Sequence, residues 1–168
     1  NVEFRYGDIE KLPISNSVAD VVVSNCVMNL VPGKLKAFTE TFRVLKPGGH
    51  FSISDIVLVG NLPEGLQKNA EMYAGCISGA IQKSEYLTTI EKAGFVNLQI
   101  QKEKRIIIPT EILTEYLNEN EMSLLAKGDL GIFSITVYAE KPEALESNKY
   151  NTHLEQKAAC CGADSDCC

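Results

Sequence analysis

Six cysteines are the residues of this sequence best suited to chemistry. Cys26 sits in Ser24-Asn25-Cys26-Val27-Met28-Asn29-Leu30, just beyond the apolar run Ala19 to Val23. Open α/β sheets bind ligands outside the carboxyl ends of their strands, so a thiol there is placed to meet one. Cys76 stands alone in Ala74-Gly75-Cys76-Ile77-Ser78-Gly79. Cys160, Cys161, Cys167 and Cys168 close the chain. Thiolates prefer soft ions. The competing reading of Cys26 and Cys76 is two buried structural thiols, since free cysteine is among the most buried residue types. The terminal four could capture a soft ion, bind zinc, or form a thiol-rich end without a task. For zinc, the usual two-residue gap between paired ligands is absent.

The elements that must position these thiols follow from periodicity. Val2 to Tyr6 alternates apolar and polar residues, a strand signal closed by the turn Gly7-Asp8. Ala19 to Val23 reads as a strand buried on both faces. Leu35, Phe38, Phe42 and Leu45 share one face of a helix over 34–46, which Pro47-Gly48-Gly49 ends. Phe51 to Val57 is the next strand, completing a right-handed βαβ unit. Leu66, Ala70, Tyr73 and Ile77 share a further helical face, weakened by Gly75 and Gly79. Ser84 is placed to cap a helix that ends at Gly94. Strands are expected over 96–108 and 132–139, with a short helix after Pro109-Thr110. This alternation predicts an α/β doubly wound sheet. From Pro142 the apolar period is lost, so 1–141 reads as the folded part and 142–168 as a flexible Cys-rich tail.

Composition narrows the function. A hydrophobic content of 45% suits one globular core, and the net charge of -6 argues against a nucleic-acid partner. No apolar run approaches the roughly 20 residues of a membrane helix, and no signal peptide is recognisable. The first residue is Asn1 and the chain opens within a strand-like segment, so a fragment of a longer protein is expected. Six unevenly spread cysteines suit a reducing, cytoplasmic setting better than a disulfide scaffold.

Three stretches together carry a resemblance. Gly7-Asp8-Ile9-Glu10-Lys11-Leu12-Pro13, Ala19-Asp20-Val21-Val22-Val23-Ser24-Asn25 and Arg43-Val44-Leu45-Lys46-Pro47-Gly48-Gly49 resemble the second half of the Rossmann-like S-adenosylmethionine-dependent methyltransferases. Within that superfamily, the contexts of Cys26 and of Tyr73-Ala74-Gly75-Cys76 are similar to those of arsenite methyltransferases. The resemblance covers about residues 1 to 140. The family's Gly-rich loop and ribose-binding acidic residue have no counterpart in this sequence.

The resemblance implies a fold, a cofactor and roles. The expected sheet has the order 3-2-1-4-5-7-6, entered here at its third strand, which leaves that strand without neighbours and the fourth with an exposed edge. The expected cofactor is S-adenosylmethionine, with Asp8 on the adenine amino group, the backbone of Ile9 alongside, and Asn25 near the methionine part. Read alone, Asp8 is an ordinary turn residue and Asn25 is equally a turn residue. Cys26 and Cys76 are the implied arsenic ligands, with Cys160, Cys161, Cys167 and Cys168 as further candidates. Arsenite or its thiol conjugates would be the substrate and a thiol reductant a partner. Residues 1–168 alone are then expected to bind the cofactor weakly and not to turn over. Two other functions stay open: a methyltransferase for another small molecule such as a quinone precursor, and a thiol-rich soft-metal-binding protein. Asp55 receives no role, and His50 and His153 read as structural or solvated.

Overall fold

The computed structural model describes residues 1–64, 77 and 79–143. The helical face expected around Leu66, Ala70 and Tyr73 lies outside them, as do Cys76 and the cysteines of the expected tail.

A four-stranded sheet organises the molecule. The chain runs through β1 (Ala19–Asn25), a short 3₁₀ turn (Met28–Leu30), α1 (Lys34–Val44), β2 (Leu45–Val59), α2 (Lys83–Lys92), β3 (Val96–Arg105), α3 (Thr110–Tyr116), α4 (Glu119–Lys127) and β4 (Gly131–Glu140). The sheet order is β1-β2-β4-β3. β1 and β2 pair in parallel, while β4 runs antiparallel to both β2 and β3. This mixed α/β sheet has the order that the resemblance implies for strands four to seven.

Alternation along β2 sorts its side chains. Phe51, Ile53 and Val57 face α1 and α2 in the main core, with Phe38, Tyr86, Ile90 and Phe95. Edge-to-face rings fill this layer, Phe51 against Phe95 at 4.7 Å and Phe38 against Tyr86 at 5.5 Å. Each such ring contributes roughly 1.5–3 kcal/mol by burial. Ile56 and Leu58 point the other way, into a second cluster with Ile77, Leu113, Leu117 and Leu125. Further up, that face is polar: Ser54 and Thr136 hydroxyls meet at 2.8 Å.

The motif Arg43-Val44-Leu45-Lys46-Pro47-Gly48-Gly49 has a structural reason at most positions. The Arg43 guanidinium holds Glu40 and the carbonyls of Leu12 and Ile14, fastening the loop ahead of β1 onto α1. Lys141 donates to the Phe42 and Leu45 carbonyls at the end of α1. Gly49 is buried, and a Cβ there would stand 2.9 Å from the Asp20 and Lys46 carbonyl oxygens.

Several expectations need correction. Residues 2–6 form no strand, and Val2, Phe4 and Tyr6 are exposed. Alternation alone does not make a strand; a hydrogen-bonding neighbour does, and none of the described residues pairs with this segment. β1 is not buried on both faces: Val23 is 75% exposed, because β1 ends the sheet on that side and no described layer covers it. Ser84 does not cap α2; Gln82 precedes the helix and makes no side-chain cap. β3 stops at Arg105, short of Ile108. α4 was not foreseen, although its signals are local. Asn118 and Glu121 form a reciprocal capping box, and Gly128 ends the helix in the left-handed conformation.

Candidate functional site

β1 delivers Cys26. Its last ladder pair sets Asn25 opposite Ser54, and the Cys26 amide then donates to the Ser54 carbonyl at 2.8 Å. That bond continues the parallel ladder for one residue while the chain turns away. Cys26 has φ +55, a left-handed conformation. For a residue with a side chain this costs about 1–2 kcal/mol, and such strain persists only where neighbours hold it. The half-buried thiol packs against the cluster of Ile56, Leu58 and Ile77. The 3₁₀ turn follows at once, with Met28 and Asn29 buried.

The segment after Cys76 comes back onto this turn. Ile77, the residue covalently next to Cys76, is 1% exposed in the cluster that Cys26 packs against. Gly79 has φ +81, and a Cβ on it would stand 2.6 Å from the Asn29 carbonyl oxygen. A side chain there would push the returning segment off the turn. The two cysteine contexts of the sequence therefore meet through Gly79, Asn29 and Ile77. Cys76 itself lies outside the described residues, as do Cys160, Cys161, Cys167 and Cys168. Among the described residues no three His, Cys, Asp or Glu side chains cluster as a metal site.

Asp8 lies in an exposed turn, its Oδ1 accepting the Glu10 amide at 2.9 Å. This is the Asx turn expected of an isolated turn aspartate. Its second carboxylate oxygen remains able to accept from an amino group. Ile9 packs beside the main core. Glu10 then accepts the Gly33 amide at 2.9 Å, at the N-terminal end of α1. The Asp8 turn and the turn after Cys26 thus converge on the start of α1. Asn25 is exposed at the end of β1.

Sequence reasoning missed Asp55. It occupies an inward position of β2 between Ile53 and Val57, and it is 1% exposed. The Tyr86 hydroxyl donates to its Oδ2 at 2.6 Å. Burial pushes the Asp55 carboxyl up to about 6, against the opposing pull of Tyr86, the Asn29 and Val27 amides and Lys34. Among the described residues Oδ1 finds no hydrogen-bond partner, and burial wins. The Tyr86 hydroxyl is pushed upward by burial and by the Asp55 charge. Lys34 donates to the Asn29 and Val31 carbonyls at 2.9 and 3.1 Å, and burial lowers its ammonium while Asp55 and Glu85 partly offset that. The available signal was a carboxylate interrupting an alternating apolar set.

A family model described as a methyltransferase domain matches residues 1–94, which hold β1, α1, β2, α2 and the Asp8 turn. The chain belongs to this methyltransferase family. The methyltransferase chain is 37% identical over 144 residues to an arsenite methyltransferase of Halobacterium salinarum, covering 84% of this chain and 34% of that protein. It is 42% identical over 98 residues to an arsenite methyltransferase of Homo sapiens, covering 56% of this chain and 26% of the relative. Among solved structures it is similar to an arsenic (III) S-adenosylmethionine methyltransferase from Chlamydomonas reinhardtii, with TM-score 0.63 and 28% identity, over 82% of this chain and 44% of that one. The chain spans about a quarter to a third of the length of these curated relatives. No helix among the described residues is long and apolar enough to cross a membrane.

Proposed function

We propose that this methyltransferase chain serves the transfer of a methyl group from S-adenosylmethionine to trivalent arsenic held by thiolates, with arsenite or its thiol conjugates as substrate. The observation that carries the reading is that Cys26 packs against the cluster holding Ile77 while Gly79 lies against Asn29 of the turn that follows Cys26. It supports Cys26 and Cys76 as ligands to one soft atom. The similarity to arsenite methyltransferases over 84% of the chain points the same way. A quinone-precursor methyltransferase has no use for the two cysteine contexts of this sequence. A sequestering protein has no use for the Asp8 turn beside the thiol turn.

Each residue has a task in this reading. Cys26 and Cys76, as thiolates, bind arsenic in preference to oxygen ligands because both partners are soft. Pyramidal arsenic keeps a lone pair, so the substrate carries its own nucleophile and no general base is needed for attack. When bound, the cofactor would supply the methyl group of its sulfonium, whose S–CH3 bond breaks to leave the thioether S-adenosylhomocysteine. The second oxygen of Asp8 would accept from its adenine amino group, with Ile9 alongside and Asn25 near its methionine part. The protein's contribution is then mainly positioning. Cys160, Cys161, Cys167 and Cys168 would serve as capture ligands, and a thiol reductant acting in the cytoplasm would restore the site between turnovers. Residues 142–168 would act as a tail to the folded part.

Replacing Cys26 or Cys76 by Ser in the natural polypeptide that carries residues 1–168 should abolish arsenite methylation, because a hard hydroxyl replaces a soft thiolate. Arsenic speciation after incubation with the methyl donor reads this directly. Full activity in both variants would sink the proposed ligand set.

A further inference from the structure

We propose that Asp55 and Tyr86 are positioning residues for the Cys26 thiol, acting through the 3₁₀ turn between them. This rests on the reading of Cys26 as a substrate ligand and names what sets that ligand's place.

The turn is held at its two ends by opposite charges. At its start the Val27 and Asn29 amides favour the Asp55 carboxylate, which is buried and bonded by the Tyr86 hydroxyl at 2.6 Å. Lys34 sits at its finish, donating to the Asn29 and Val31 carbonyls. This polarity matches the dipole of a helical turn, positive at its start and negative at its finish. Glu85 is the other carboxylate that acts on Lys34. Tyr86 fixes Asp55 from α2, with its own ring buried against Phe38. Cys26 stands one residue ahead of the turn, before Val27, in a left-handed conformation that needs external support.

The placement of charge argues for a task beyond folding. Asp55 stands where the alternation of β2 calls for an apolar side chain. An apolar residue there would pack without desolvating a carboxylate, and replacing buried charge by well-packed apolar groups is often neutral or stabilising. An acid at this position does what an apolar residue cannot: it pulls on the amides of the turn that carries the thiol.

The test uses Tyr86→Phe and Asp55→Asn in the natural polypeptide. Tyr86→Phe removes one oxygen and keeps the buried ring. Tyr138→Phe is the control, because it also removes a hydroxyl bonded to a carboxylate, that of Glu140 on β4. Two readouts are taken: the rate at which iodoacetamide alkylates Cys26, followed on its peptide by mass spectrometry, and separate KM values for arsenite and S-adenosylmethionine. The expected result for Tyr86→Phe is a change of about threefold or more in the alkylation rate. Its KM for arsenite should rise about fivefold, with the KM for the methyl donor within about twofold. Should Asp55→Asn not fold, Tyr86→Phe decides alone. A lowered Tm with an unchanged Cys26 alkylation rate would overturn the proposal, as would equal changes in both KM values. A wild-type protein that binds no arsenite defeats the reading of function instead, while the alkylation rate still tests the positioning.

Discussion

The two flanks of the sheet treat charge in opposite ways. On the β1 flank, Asp55 and Lys34 are drawn inward around the turn after Cys26, while Val21 and Val23 are left exposed. On the β3 flank, Lys102, Glu103 and Lys104 stand in solvent along an edge strand whose register shifts twice. Exposed charge and irregular register are the usual means of keeping a sheet edge from pairing with another chain. β3 has both. β1 has a single register shift and one exposed charge, Asp20, near its start, then offers two exposed valines, and its end carries the thiol. The charge-protected edge reads as the outer boundary of the fold. The apolar one reads as a surface meant to be covered, with the chemistry at its corner.

The largest test of this contrast is the buried acid. Asp55 has a folded-state pKa of about 6, above its ordinary value of 3.8. The folded protein therefore binds that proton more tightly than the unfolded chain does. The stabilisation is fully present below about pH 3.8 and is lost as pH rises through about 6, a change on the order of 3 kcal/mol from this group alone. Asp55→Asn should remove this slope, leaving stability across that window to the other groups. Urea unfolding at several pH values measures it. An identical slope in wild type and variant would mean that Asp55 is solvated, and the contrast between the flanks would fail.

Next in size is the exposed surface. As an isolated polypeptide, residues 1–168 should self-associate through the β1 flank. Val21→Lys with Val23→Lys should weaken that association by about tenfold or more, roughly 1.4 kcal/mol. The reverse change, Lys102→Val with Lys104→Val, should create association through β3. Sedimentation equilibrium distinguishes the two. Equal behaviour of both pairs would show that the valines do not mark a covered surface.

How much was legible in the sequence follows the range of the forces involved. α1 and β2 were readable because their signals lie within one element: a 3.6-residue apolar stripe, then alternation from Phe51. Cys26 was readable for the same reason, as the residue after an apolar run. The boundary between α1 and β2 was misplaced: α1 already stops at Val44, and Pro47-Gly48-Gly49, expected to end a helix over 34–46, lies within β2. The segment 2–6 was not, because a strand needs a neighbour and the alternation of Val2, Phe4 and Tyr6 supplies none. α4 escaped although Asn118, Glu121 and Gly128 mark it, since only Leu125 of the helix is buried and its apolar stripe is thin. Asp55 escaped because its meaning depends on Tyr86, 31 residues away on another element. The local signal, a carboxylate interrupting the apolar alternation of β2, marks the position but not the partner that holds it.

The smallest effect belongs to the exposed charge of the β3 flank. Lys83 at the start of α2 donates to Glu103 of β3 at 2.6 Å, with side chains 28% and 34% exposed. The bond is short, but both groups keep much of their water. The Coulomb gain is therefore screened, and ordering two long side chains opposes it. Pairs of this kind contribute about 0–1 kcal/mol. Glu103→Gln should lower stability by less than about 1 kcal/mol, and the difference should fade in about 1 M salt, where the screening length is roughly 3 Å. Urea unfolding of wild type and variant at low and high salt checks both statements. A salt-independent loss of about 2 kcal/mol or more would show that this pair is desolvated like Asp55 and Lys34. Charge would then be handled alike on both flanks.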